Sequence, residues 1–355
     1  MVQELNTEQK QRINLTLPAR DLLEGDREFF APHLTRSGFI NELLYRLAPL
    51  SDASITETVE RRREMIMVRL EEKKLPADTI RIAAEALLTP YREELIRKAS
   101  SWPKGISEVF RLNNQNVDLF YQPDWADAKY YDHKPSKYMK ALIEDYASRT
   151  LYQREGLFFH EWISLAQTAV AAGKLLRITT LNVRREKVTW DVRVYQVLPN
   201  DAGLHHYIVG RAVLKGGLKS EEHIASFRVS RLVDVRILAS DSIRSGSLSK
   251  AEKKELEEKI ARQRVQFLVG DREEFVVHFT KEGKNLLKAI QYMKPAVSYI
   301  DEDDNYHFEC PRFQLFQYFS RFGEHAQILE PETIRDDFKG WYQRAYEAYL
   351  GEPEE

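Results

Sequence analysis

Polar and apolar residues alternate strictly from Arg12 to Leu17, with Ile13, Leu15 and Leu17 on one side and Arg12, Asn14 and Thr16 on the other. That is the period of a half-buried strand, and Pro18 ends it. Two short helical patterns follow, over residues 20–30 and 37–47, the second with Phe39, Ile40, Leu43, Leu44 and Leu47 spaced for one face. Ser54-Ile-Thr-Glu57 has the form of a capping box and opens a predicted helix through Lys74, and Asp78 caps another that runs to Ser100. Around residues 108–121 the pattern turns extended again, and a helix is predicted over 136–148. Ser37–Ala48 and Ser136–Ala147 align at Ser, aromatic, aliphatic, Leu, aliphatic and Ala, each after an alternating strand. A degenerate internal repeat and two ordinary amphipathic helices both fit that alignment.

A helix over 161–172 leads into a β-rich block with strands at 175–181, 188–198, 205–213 and 223–238. Asn200-Asp-Ala-Gly203 and Lys215-Gly-Gly217 supply the turns. Short strands with regular turns predict a small barrel or a strongly bent sheet. A Ser/Gly-rich hinge, 240–249, feeds a charged helix capped by Ser249-Lys-Ala-Glu252. The last block reads strand, helix, strand, strand, helix, strand, helix, which predicts an α+β sandwich of ferredoxin-like type. Its final helix carries Trp341, Tyr342, Tyr346 and Tyr349, residues suited to core packing or to a dimer contact.

Composition fits a globular chain of two or three domains: 355 residues, 43% hydrophobic and 30% charged. One cysteine, Cys310, cannot form an internal disulfide, and the sequence offers neither a signal-peptide pattern nor an apolar run of membrane length. The cytoplasm is the expected location. The net charge of −2 conceals an asymmetry. Residues 174–236 hold 12 Lys+Arg against 6 Asp+Glu, whereas residues 301–355 hold 5 against 14. A basic middle suits a polyanion, and solvated faces explain the same counts.

Catalytic patterns are missing: the sequence contains no GxxxxGK[ST], HExxH or GxSxG, and no Gly-rich dinucleotide loop. No enzyme, cofactor or metal is expected. Polyanion binding has more support. In Trp190-Asp-Val-Arg-Val-Tyr195 the strand period puts Arg193 and Tyr195 on one face, Tyr207 and Arg211 share a face of the next strand, and Arg228 and Arg231 follow. Guanidinium groups pair with phosphate, and tyrosine rings stack on unpaired bases. Salt bridges from these arginines to Asp191, Glu221 and Glu222 are the competing expectation, and composition leaves both open.

Leu204-His-His-Tyr-Ile-Val-Gly-Arg211 followed by Ala225-Ser-Phe-Arg-Val-Ser-Arg-Leu232 resembles the WYL domain. The family's Trp-Tyr-Leu triplet falls on His206, Tyr207 and Ile208, and its Phe-Arg…Arg-Ile strand on Phe227, Arg228, Arg231 and Leu232, so the tryptophan is lost. The resemblance implies an Sm-like, SH3-type β-barrel whose basic groove takes nucleic acids or nucleotide-like ligands. It carries over Tyr207, Arg228 and Arg231 as binding positions, with His206 at the tryptophan's place, and strand geometry adds Arg193, Tyr195 and Arg211. Tyr306-His-Phe-Glu-Cys310 and the segment 322–331 are similar to the extension that commonly follows WYL domains. The N-terminal strand and Thr35-Arg-Ser-Gly-Phe-Ile-Asn41 resemble a ribbon-helix-helix module.

The combination is similar to WYL accessory proteins encoded beside type VI-D CRISPR effectors, which implies single-stranded RNA and the CRISPR effector ribonucleoprotein as partners. The expected organisation is a ribbon-helix-helix-like module over 1–50, a helical region with a second such half over 51–155, a WYL domain over 156–240, and a linker helix with an α+β dimerisation domain over 241–355. The expected assembly is a homodimer. The alternative function is a DNA-binding transcriptional regulator, with Arg12, Asn14 and Thr16 aimed at base edges and the WYL domain as ligand sensor.

Overall fold

A computed structural model describes residues 10–122, 125–181, 186–200, 202–238, 245–268 and 272–350. The chain is mixed α+β and divides into two compact units. One comprises Met1–Ser164, Leu204–His206 and Val229–Arg231, and the other comprises Leu165–Gly203, Tyr207–Arg228 and Leu232–Glu355.

In the first unit, β1 (Lys10–Leu15) is followed by α1 (Leu17–Phe30), α2 (Arg36–Leu47), α3 (Ile55–Glu71) and α4 (Ala77–Ser100). Then come β2 (Ile106–Arg111), α5 (Asn114–Phe120), α6 (Pro135–Ala147), α7 (Leu151–Phe158) and α8 (His160–Ala172), the last extending into the second unit. The alternation in β1 does what its period predicts: Ile13 and Leu15 are buried while Arg12 and Asn14 are exposed. Leu17 departs from the pattern and lies exposed, because Thr16 caps α1 by accepting the amide of Ala19 and turns the chain out of the strand.

β1 pairs antiparallel with β2, with Lys10 opposite Arg111, Arg12 opposite Val109 and Asn14 opposite Ser107. Each strand therefore precedes two helices, β1 before α1 and α2 and β2 before α5 and α6, and the aligned segments of the sequence are α2 and α6. Their apolar faces meet in a core that includes Phe39, Leu43, Met139 and Tyr146. The extended segment expected over 108–121 stops at Arg111, since Asn113 accepts the Asn116 amide at 3.0 Å and starts α5. Ser54 also departs from its expected role. Its hydroxyl bonds to the Ala48 carbonyl and the Tyr138 hydroxyl, and Asp127 Oδ1 takes the Thr56 amide of α3 instead, at 2.8 Å.

The second unit contains β3 (Leu176–Leu181), β4 (Lys187–Pro199), β5 (His206–Leu214), β6 (His223–Arg228) and β7 (Leu232–Ile237), forming one antiparallel sheet in the order β6-β5-β4-β3-β7. The strand expected over 223–238 is broken by a 3-10 turn, Val229–Arg231. Laid flat, five strands would hold the edges about 19 Å apart, yet the short link from Arg228 to Leu232 spans at most roughly 14 Å. The sheet therefore curls. It does not close: among the described residues no ladder joins β6 to β7, so the expected barrel is an open, bent sheet. The Asn200 carbonyl accepts the Gly203 amide in the expected turn, with Asp201 outside the described residues. Residues 240–244 of the expected hinge likewise lie outside them.

The helix α9 (Lys250–Gln263) has the predicted capping box, Ser249 with Glu252. Beyond it lie β8 (Arg272–Phe279), α10 (Lys281–Ala289), β9 (Val297–Ile300), β10 (Tyr306–Pro311), α11 (Arg312–Phe319), β11 (Ala326–Glu330) and α12 (Glu332–Leu350). The sheet order is β11-β8-β10-β9, over a core rich in phenylalanine, including Phe275, Phe308, Phe319 and Phe338. Cys310 packs in that core, and burial pushes its thiol up to about 12, so it is an inert apolar residue. The helix α12 buries Ile334 and Phe338 but leaves Tyr346, Tyr349 and Leu350 exposed at its far end. No helix among the described residues is long and apolar enough to cross a membrane.

Candidate nucleic-acid interface

The expected binding face begins with strand period. On β5, Tyr207, Val209 and Arg211 point the same way, and the register sets Arg228, Ser226 and Ile224 of β6 directly opposite them. Arg193 and Tyr195 reach the same surface from neighbouring β4, as their contacts show. Gly210 permits this approach, because a Cβ there would lie 2.3 Å from the Arg193 carbonyl oxygen. Arg193, Tyr195, Tyr207, Arg211 and Arg228 thus belong to one face of the sheet.

That face is already covered. Leu256 of α9 is fully buried against Val209 and Ile224, with Tyr195 and Tyr207 packed alongside. The same helix brings acids to the arginines. Arg193, only 6% exposed, donates to both oxygens of Glu222 at 2.9 and 2.5 Å, to Glu252 at 3.2 Å, and to the Ser247 carbonyl at 3.0 Å. Arg211 donates to Glu222 at 3.2 Å and to Glu255 at 2.7 Å, and the Tyr195 hydroxyl donates to Glu257 at 2.9 Å. Hydrogen bonds from Arg193, with the Ser249 amide, hold the Glu252 carboxyl down to about 2. Burial works to raise Glu222, but Arg193 and Arg211 outweigh it and its carboxyl is lowered.

Three carboxylates meet the guanidinium groups of Arg193 and Arg211, so neither is free for phosphate. Removing one partner of a buried pair costs about 3–5 kcal/mol, and a phosphate would in addition have to displace Leu256 from the sheet. Arg193, Tyr195 and Arg211, expected to meet phosphate and base, meet α9 instead. Of the acids expected to compete, Glu222 is used, Asp191 pairs with Arg177 at 2.7 Å, and Glu221 accepts the Leu218 amide at 2.9 Å.

Tyr207 and Arg228 are half-buried, and Arg231 is exposed in the turn after β6. His206 is 8% exposed: its amide donates to Glu155 Oε2 at 2.6 Å, and its ring stacks on Tyr152 with centroids 3.7 Å apart. The His205 ring also reaches Glu155, at 3.1 Å, so the two histidines share one carboxylate. Burial alone would raise Glu155, but hydrogen bonds from His205, His206 and Ser230 outweigh it and bring its carboxyl to about 2. His206 is therefore closed to a polymer.

The ribbon differs. Its outer surface carries Lys10, Arg12 and Asn14 from β1 and Ser107, Val109 and Arg111 from β2, all exposed. The acid of β2, Glu108, points inward and is held by Arg36 at 2.7 and 3.0 Å. Among the described residues, Lys10, Arg12 and Arg111 take part in no ion pair. Thr16 is not part of this surface: its hydroxyl and amide both donate to Glu144, at 2.8 and 2.7 Å, while it caps α1. Lys10 and Ser107 complete the surface, and only the pairing of β1 with β2 reveals them.

No protein-family profile matches the chain, and no curated protein is similar to it. Among solved structures, the fold is similar to one described as a CRISPR Cas-related protein, at 18% identity with a TM-score of 0.72 over 96% of this chain and 94% of that one. A looser match is proteasome accessory factor B/C (PafBC) of Arthrobacter aurescens, at 13% identity with a TM-score of 0.32, over 98% of this chain and 51% of that one. At 18% identity, the first likeness is one of fold.

Proposed function

We propose that this chain is a non-enzymatic nucleic-acid-binding accessory or regulatory protein, and that the outer face of its ribbon is the surface that meets nucleic acid. The observation that carries this is the row of Lys10, Arg12 and Arg111 with Asn14, outward and unopposed by carboxylate among the described residues. A two-stranded antiparallel ribbon fits a duplex major groove about 12 Å wide, where arginine and asparagine can donate to base edges. In this reading the two strand–helix–helix halves are a ribbon-helix-helix module built from one chain. The description of the similar structure as a CRISPR Cas-related protein supports work beside an RNA-guided effector.

A second reading puts single-stranded RNA on the WYL-like sheet and has the protein modulate the effector by that route. Tyr207 and Arg228, half-buried and directly opposite in register, favour it. The exposed end of α12, with Tyr346, Tyr349 and Leu350, supplies the surface for the proposed homodimer.

Fluorescence anisotropy with labelled duplex DNA, single-stranded DNA and single-stranded RNA separates the readings. The ribbon reading expects duplex binding that weakens on Arg12→Ala and Arg111→Ala and is indifferent to Arg228→Ala. Preference for single-stranded RNA with loss on Arg228→Ala would replace it by the second reading.

A further inference from the structure

Within the first unit, the end of α2, the start of α3, the segment 125–127 and residues of α6 to α8 line a half-open cavity of about 620 Å³. That is within the size range of small-molecule sites, roughly 300–1,000 Å³. One wall is aromatic. Trp125 lies 4.8 Å from Tyr138 between ring centroids and stacks on Tyr131 at 5.9 Å, and Tyr138 is fixed by a 2.7 Å hydrogen bond with Ser54. Tyr45 lines the cavity and is 39% exposed.

The cavity also carries two carboxyls, those of Asp127 and Glu57, that form no ion pair among the described residues, although burial raises that of Asp127. Asp127 is 4% exposed, and its Oδ1 accepts the Thr56 amide at 2.8 Å and the Thr56 hydroxyl at 2.6 Å. Its Oδ2 has no partner among the described residues. Glu57, the residue after Thr56, also lines the cavity and has no ion pair among them. Arg46, in the same lining, is committed to Glu42 at 2.7 Å and to the Phe158 carbonyl at 2.5 Å. Capping α3 uses one oxygen of Asp127 and leaves the other open to the cavity.

A neutral apolar guest would strand that oxygen in a desolvated place, and an anion would be repelled. An ammonium group on an apolar body satisfies both the carboxylates and the rings. We propose that this cavity binds a small organic amine, its ammonium group held by Asp127 and Glu57 and its hydrocarbon body against Trp125 and Tyr45. The site is independent of the nucleic-acid reading.

Isothermal titration calorimetry of the full chain with 1,8-diaminooctane, against the uncharged 1,8-octanediol, tests it. The diamine binds saturably and the diol about tenfold or more weaker, and Glu57→Gln and Asp127→Asn each weaken the diamine about tenfold. Trp125→Leu weakens it several-fold. Asparagine at 127 keeps the acceptor for Thr56, and Glu57 is exposed, so Glu57→Gln decides the matter even if the other variant fails to fold. Equal binding of diamine and diol, no saturable heat at millimolar ligand, or undiminished binding by Glu57→Gln overturns the proposal.

Discussion

On the bent sheet, Arg193 and Arg211 lie beneath α9 and meet Glu222, Glu252 and Glu255; on the ribbon, Lys10, Arg12 and Arg111 stand outward and meet no acid among the described residues. Both surfaces look alike in sequence, as basic residues at strand period. They differ in what a third element brings. Once Leu256 docks on Val209 and Ile224, the carboxylates of α9 occupy the places a phosphate chain would take. An arginine-rich strand face is therefore evidence for polyanion binding only after its cover is known.

The comparison is broken most forcefully at Arg193. Arg193→Ala leaves Glu222 and Glu252 with Arg211 as their remaining cation, and urea unfolding should show a loss of about 3 kcal/mol, the low end for a broken buried pair. An unchanged midpoint would mean that the pair is not held as described. Next in size, Leu256→Ala opens a cavity under α9 and costs about 2–5 kcal/mol, measured by the same unfolding curve. Thr16→Ala removes a helix cap and should cost roughly 1 kcal/mol in thermal unfolding, while leaving nucleic-acid affinity unaltered. A loss of affinity without loss of stability would return Thr16 to the binding surface.

Glu155 sharpens the contrast through pH. Its carboxyl lies near 2 in the folded chain against an ordinary value of 4.5, so the stability it contributes is complete above about 4.5 and is lost as pH falls toward 2. Glu155→Gln should flatten the acid limb of the stability profile over that window, and an identical acid limb would contradict the assignment.

Much of the fold was legible in the sequence. Period two marked β1 and the strands of the bent sheet, and the strand–helix series of the last block matches the observed elements. The Ser249 capping box formed as expected, while Ser54 was a false signal, because a carboxylate from Asp127, remote in sequence, competed for the amide. The helix α7 is signalled by Thr150 and Gln153, a capping box that periodicity does not reveal, and α5 by Asn113. At the site, strand period put Arg193 with Tyr195 and Tyr207 with Arg211 on a shared face of their strands, and the register of β5 with β6 adds Arg228. What no local pattern could disclose was the docking of α9, whose Glu252 is 59 residues along the chain from Arg193. The pairing of β1 with β2 is long-range too, which is why Arg12 and Asn14 could be named while Lys10 and Ser107 were not.

The most direct test compares the two surfaces in one titration. Arg12→Ala with Arg111→Ala should leave stability within about 0.5 kcal/mol and weaken duplex binding. The slope of log affinity against log salt should fall by about 2, near 0.9 for each phosphate no longer neutralised. Unaltered affinity and salt slope in this double variant would contradict the claim that the ribbon is the nucleic-acid surface.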